Sequence, residues 1–284
     1  MVEFYAWADK IAAELKQRGV QHVVHGMWTP SGYFHIGNAR NELMAPLLVH
    51  DALKSAGIDV VFNFFVDDFD DLDKIPAGVS VPEGFEKNMG RPLYEVPSPA
   101  SGYRSWSELF SSDVLDVMGD FGAHPVVHSS YEEYRKGTYD NAIRIVLNNW
   151  QKTRDIWVKI TKTQKPKDWI PVMPVCENCR RASTTVATEW DREKLKYSCT
   201  QGRAYAEACG YSGELVPGKG NIKLPWRLHW PATWFTFQVT FESGGKDHFA
   251  KGGSVDTGRA FSKEIFGYEP PYLLHGEFVT VGGK

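Results

Sequence analysis

Apolar positions along this chain alternate between helical and strand-like spacing, and the alternation outlines a βαβ unit. Ile11, Ala12 and Leu15 share one helical face and Arg18-Gly19 follows as a cation and a stop, which predicts a helix over residues 8–15. Residues 23–28 (VVHGMW) read as a short buried strand. Over residues 37–56 helical spacing returns through Leu43, Leu47, Leu48 and Leu53, with Gly57 as terminator and Pro46 as an expected kink. Residues 60–66 are β-branched and aromatic, of strand length, and stop at Asp67-Asp68. Such units build parallel sheets with ligands at the carboxyl ends of the strands. The loop of residues 29–38 and the Asp67-Asp68 pair are therefore expected to border one crevice.

Residues 69–105 are rich in Pro, Gly and Ser and predict an irregular excursion. Helical spacing is expected again over 106–121, with Glu108 near the start, and over 139–160 through Ile143, Leu147, Trp150 and Ile156. Residues 125–128 predict a strand between them. The fold class is α/β, a Rossmann-like parallel sheet.

Composition narrows the class without naming a function. At 284 residues and 42% hydrophobic, the chain can bury one large core or two smaller ones. A net charge of −3 gives no global basic field, so any RNA contact must rest on a local patch. Lys152, Arg154, Lys159, Lys162, Lys165 and Lys167 are the basic concentration, read as a solvated helix face or an acceptor-stem contact. No signal-peptide stretch opens the chain and no apolar run nears a membrane span, which sets a cytoplasmic expectation without membrane or obligate protein partner.

The four cysteines fall between positions 176 and 209, clustered as metal ligands are. Cys176, Cys179, Cys199 and Cys209 give C-x2-C followed by the longer C-x9-C. Four thiolates can close a tetrahedral structural zinc site with no open position for chemistry. Free cysteines are the alternative. Arg180 and Arg181 beside them are read as solvated charges or RNA contacts.

The loop of residues 29–38 (TPSGYFHIGN) couples a strand end to a helix start, where backbone amides and the helix dipole favour phosphate. His35 adds a side-chain donor, Gly37 removes a Cβ from the path of a nucleotide, and Asn38 offers an amide. No Ser/His/Asp or Cys/His arrangement for nucleophilic catalysis is recognisable.

His35-Ile36-Gly37-Asn38, preceded by Pro30-Ser31-Gly32, resembles the HIGH signature of class I aminoacyl-tRNA synthetases in its HIGN form. Residues 66–70 (VDDFD), 223–234 (KLPWRLHWPATW), Gly245-Lys246-Asp247-His248 and Gly252-Gly253-Ser254 are each similar to class I lysine–tRNA ligases, in the family's order. The resemblance implies ATP-dependent, magnesium-assisted activation of L-lysine and its transfer to tRNA(Lys). It implies catalytic roles for His35, Asn38, Asp247 and His248, and ATP contacts from Pro30, Ser31, Gly32, His35, Gly37, Asn38 and Lys246. For the amino acid it points to Thr29, Gly32, the charges of Asp67 or Asp68, and the walls of Trp230 and Trp234. Thr233 stands where the family usually has a larger or basic residue, and Ser243-Gly244 where it has Pro-Phe.

The resemblance divides the chain into a first catalytic half (1–170), a zinc-ribbon-like insertion (171–222) and a second catalytic half (223–284). Residues 277–284 (EFVTVGGK) stop where the family's KMSKS loop is expected, so the loop and the anticodon-binding domain are expected to be absent. Two other readings share these residues: a nucleotidyltransferase or synthetase for another amino acid, and a non-catalytic RNA-binding fragment with a zinc ribbon.

Overall fold

The computed structural model describes residues 6–19, 21–277 and 279. Of the expected KMSKS approach at residues 277–284, all but Glu277 and Val279 lies outside them. The first helix, α1 (Trp7–Lys16), leads into strand β1 (His22–Trp28). One continuous helical run follows as α2 (Ile36–Asn38), a π-helical turn (Ala39–Met44) and α3 (Ala45–Ser55), then strand β2 (Val60–Val66). Helix α4 (Trp106–Val117) precedes strand β3 (Val126–Ser129) and helices α5 (Ser130–Lys136), α6 (Asp140–Asn148) and α7 (Trp150–Thr161). Short strands β4 (Met173–Pro174) and β8 (Ile222–Lys223) pair antiparallel and bracket β5 (Thr185–Trp190), β6 (Leu195–Cys199) and β7 (Ser212–Leu215). The chain then adds α8 (Trp226–Phe237), β9 (Phe241–Gly245), α9 (Ser254–Glu264) and β10 (Tyr272–Gly276).

Five strands form a wholly parallel sheet in the order β10-β9-β1-β2-β3. Alternate residues supply both faces, as a sheet covered on both sides requires. Val24, Phe62, Phe64 and Val66 pack with Leu15, Leu47 and Leu53 on the α1 and α3 side. Val23 packs with Trp230 and Trp234 of α8, and the Phe65 ring meets Phe237. The chain leaves β1 towards β2 on one side and returns in β9 on the other. The topological switch point, where open α/β sheets bind ligands, thus lies between the carboxyl ends of β1 and β9.

Pro46 produces a π turn rather than a simple kink. It has no N–H for the Asn41 carbonyl, and its ring crowds the Glu42 carbonyl four residues back. The Ser243 hydroxyl donates to the Asn41 carbonyl. The Glu42 carbonyl is pressed onto β1, where a Cβ at Gly26 would lie 1.9 Å from its oxygen. Ser243, one of the departures from the family pattern, therefore fastens the helix that carries His35 to β9. Because the obstacle at Gly26 is backbone, Gly26→Ala is expected to cost about 3 kcal/mol, the upper range for overpacking, read from the urea midpoint.

The expected helix over 139–160 is two helices, broken at Asn149, whose side-chain amide donates to the Ile145 carbonyl. Residues 69–105 are irregular yet packed, with Phe85, Leu93 and Val96 buried. Among the described residues no helix is long and apolar enough to cross a membrane.

Candidate active site

A cavity of about 550 Å³ opens over the carboxyl end of β1, lined in part by Thr29, Ser31, Gly32, His35, Asn38, Glu42, Asp70, Lys74, Trp226 and His248. A second, of about 450 Å³, shares His35, Asn38, Glu42 and His248 with it and adds Gly37, Gly245 and Asp247. The HIGN and GKDH segments thus meet at the switch point, because β1 and β9 are neighbours in the sheet.

His35 caps the helix it precedes. Its Nδ1 accepts from the backbone amides of Gly37 and Asn38 at 3.1 and 3.3 Å, while the Asn38 side-chain oxygen accepts from the His35 amide at 3.3 Å. This reciprocal box consumes amides that the sequence reading had offered to phosphate. It also fixes the tautomer: a neutral imidazole accepting at Nδ1 carries its proton on Nε2 and presents it as a donor.

The acidic pair after β2 turns away from the cavities. Asp68 accepts from the Ser129 hydroxyl at 2.8 Å and the Tyr131 amide at 2.9 Å, tying β2 to the start of α5; burial still raises its carboxyl to about 6. Asp67 is fully buried, its pKa driven up by burial and by Asp70. Its Oδ1 faces His229 Nε2 at 3.5 Å, and burial keeps that imidazole neutral, with its pKa lowered to about 3. The carboxylate of this segment that reaches the crevice is Asp70, held by Lys223 and by the Thr29 hydroxyl at 3.3 Å.

The two tryptophans expected as walls line neither cavity. Trp230 Nε1 donates to Glu242 Oε1 at 2.7 Å and Trp234 Nε1 donates to the other oxygen of the same buried carboxylate. Trp226, one turn earlier, stacks on Trp230 with ring centroids 5.3 Å apart and lines the first cavity, as Trp28 and Tyr33 do. Thr233 is likewise internal, bonded to the Tyr139 hydroxyl at 2.9 Å. Pro30 is buried beside the crevice, and Lys246 is paired with Glu277.

Sequence reasoning passed over Glu42 and Lys74, and it quoted Asp70 and Trp226 within motifs without giving either a place in the site. Positions 35, 38 and 42 keep helical spacing, so Glu42 was recoverable from the face that His35 and Asn38 share. Burial raises the Glu42 carboxyl well above its ordinary range, and the charges of Glu242 and Asp247 raise it further. Among the described residues no cation pairs with it.

The four cysteine sulfurs lie within 4.8 Å of one another, with Cys176 to Cys209 at 3.6 Å and Cys179 to Cys199 at 3.7 Å. A tetrahedron with Zn–S bonds of about 2.3 Å has sulfurs about 3.8 Å apart, so this donor set fits zinc. Arg180 and Arg181 dock the cluster onto the irregular excursion: Arg180 pairs with Glu95 at 2.7 Å, and Arg181 donates to the Met89 and Lys87 carbonyls. In the basic segment Lys152 donates to the Glu264 carbonyl and Lys165 lies 4.5 Å over the Trp169 ring, so both are engaged within the chain.

A wholly parallel, Rossmann-like sheet thus brings a histidine-capped helix start and a second charged loop together at its switch point. A family profile described as tRNA synthetases class I (K) matches residues 5–284, and the chain belongs to that family. It is 38% identical to a lysine–tRNA ligase of Methanocaldococcus jannaschii over 98% of this chain and 52% of that protein. Identity is 36% with a lysine–tRNA ligase of Methanosarcina barkeri, over 99% of this chain and 51% of the relative. It is 37% with that of Archaeoglobus fulgidus, over 98% and 54%. The chain spans about half the length of the curated relatives it matches.

Proposed function

We propose that this chain carries the site for ATP-dependent activation of L-lysine, in a protein that transfers the lysyl group to tRNA(Lys). The observation that carries the reading is the crevice itself: His35 and His248 stand beside two carboxylates, Glu42 and Asp70, and the aromatic face of Trp226. Lysine has two ammonium groups, an aliphatic stem and a carboxylate. Two acids and an indole suit the first two features. The lysine carboxylate attacks the ATP α-phosphorus, forms the mixed anhydride and releases pyrophosphate. Catalysis then consists of alignment and of donors for charge growing on phosphate oxygens. His35 Nε2–H is one such donor; His248, shared by both cavities, is placed to be another, and Lys74 adds a positive charge to the wall. Magnesium would accompany ATP and supply further charge neutralisation.

Residues 171–222, bracketed by β4 and β8, form the insertion in this reading. Its four thiolates hold a structural zinc, and cytoplasmic location accords with reduced cysteines.

Glu42 makes a direct test. Glu42→Gln is expected to weaken L-lysine binding about 10- to 100-fold by calorimetry, the range for losing a hydrogen bond to a charged group. In the wild type, lysine affinity falls as pH drops through the raised Glu42 pKa, because the protonated acid offers no charge to the ammonium. The variant loses that dependence. Its stability runs the other way: a raised folded pKa favours the fold at low pH and the benefit is lost as pH rises through it, so Gln is neutral or stabilising at alkaline pH. Lysine affinity unchanged in Glu42→Gln would remove this acid from the site.

A further inference from the structure

Lys223 is buried, 3% exposed, and its ammonium lies among three aspartates of the turn after β2. It forms an ion pair with Asp70, and Asp67 and Asp71 stand close enough to raise its pKa further, although burial works against the charge. It does not line the crevice, whereas Asp70 does, at one-third side-chain exposure. Burial raises Asp67 to about 8 and Asp71 to about 6, so Asp70 is the acid of this corner that stays fully charged. Burial alone would push Asp70 toward its neutral form, yet Lys223 holds its carboxyl below the ordinary range.

The two partners come from distant parts of the chain. Asp70 follows β2; Lys223 ends β8, in register with Met173 of β4, three residues before Cys176. The long C-x9-C loop reaches the same turn, where the Tyr205 hydroxyl donates to Asp71 at 3.4 Å. The strand that closes the cysteine-bearing insertion therefore delivers the cation that orients a crevice carboxylate.

We propose that Lys223 is a positioning residue, holding Asp70 as a carboxylate that receives one of the two ammonium groups of the amino acid. The proposal rests on the lysine reading above. A merely structural ion pair would add stability without selecting among ligands. A positioning pair must also set discrimination.

The test is calorimetric binding by the full gene product of L-lysine, 6-aminohexanoate, which lacks the α-ammonium, and L-norleucine, which lacks the ε-ammonium. The wild type is expected to prefer lysine to each analogue by at least about tenfold. Asp70→Asn and Lys223→Met are expected to lose about tenfold of discrimination against one and the same analogue while keeping the other preference, with Lys223→Arg partly restoring it. If Lys223→Met does not fold, the double variant Asp67→Asn/Lys223→Met, which removes a neighbouring buried acid together with the cation, carries the same expectation. Equal weakening toward all three ligands, or both preferences intact, in the lysine variants overturns the proposal. A wild type that binds lysine no better than either analogue overturns the lysine reading itself, a result visible before any variant is compared.

Discussion

Amino-acid-dependent pyrophosphate exchange is expected to fall about 10²- to 10³-fold in His35→Ala, the loss typical of removing one preorganised donor from developing charge. Two effects are superposed in that variant, and the geometry separates them. Nδ1 accepts from the amides of Gly37 and Asn38, so alanine also strips a helix cap, worth about 1 kcal/mol. Asparagine is a good cap whose shorter side chain cannot place a donor where Nε2 stands. His35→Asn is therefore expected to regain most of the stability by thermal melting and little of the exchange rate. Recovery of both by asparagine would mean that the histidine serves the fold alone.

The second large effect concerns the cysteine cluster. Cys176→Ser or Cys209→Ser is expected to release about one equivalent of zinc and to lower stability by at least about 3 kcal/mol, since metal affinity at such sites is itself folding free energy. β5, β6 and β7 form a sheet of three short strands, with Leu195, Tyr197 and Leu215 as buried residues, and gain little independent stability without the metal. The sulfurs, 3.6 and 3.7 Å apart within each pair, are well beyond the ~2.05 Å of a disulfide. Metal analysis beside a melt in chelator reads both quantities. A purified protein free of zinc with an unchanged melt would contradict the assignment.

The parallel sheet was legible because β2 is β-branched or aromatic at every position but Asn63, and because the helix after β1 keeps its spacing through Leu43, Leu47 and Leu53. The break at Asn149 was not, since apolar spacing runs across it and a side-chain bond to the Ile145 carbonyl decides the geometry. Phe85, Leu93 and Val96 gave no period either, because tertiary contacts rather than a regular element bury them. At the site, adjacency of β1 and β9 brings His35 and His248 together, a pairing outside the βαβ unit that the pattern of residues 23–66 outlined. The acids were harder. Asp67, Asp68 and Asp70 differ only in which neighbours claim them, and Ser129, His229 and Lys223 are remote in sequence. The tryptophans at 226, 230 and 234 share one helical face, and only contact with Glu242 shows that the last two point inward.

The central claim is that this crevice activates lysine, and pyrophosphate exchange by the full gene product across the twenty amino acids, with and without tRNA, tests it most directly. Exchange supported by lysine, at least about 10²-fold above any other amino acid in kcat/KM and lowered about 10²- to 10³-fold in His35→Ala, is the predicted result. Exchange driven by a different amino acid, or none with any amino acid in the presence of tRNA, would contradict it.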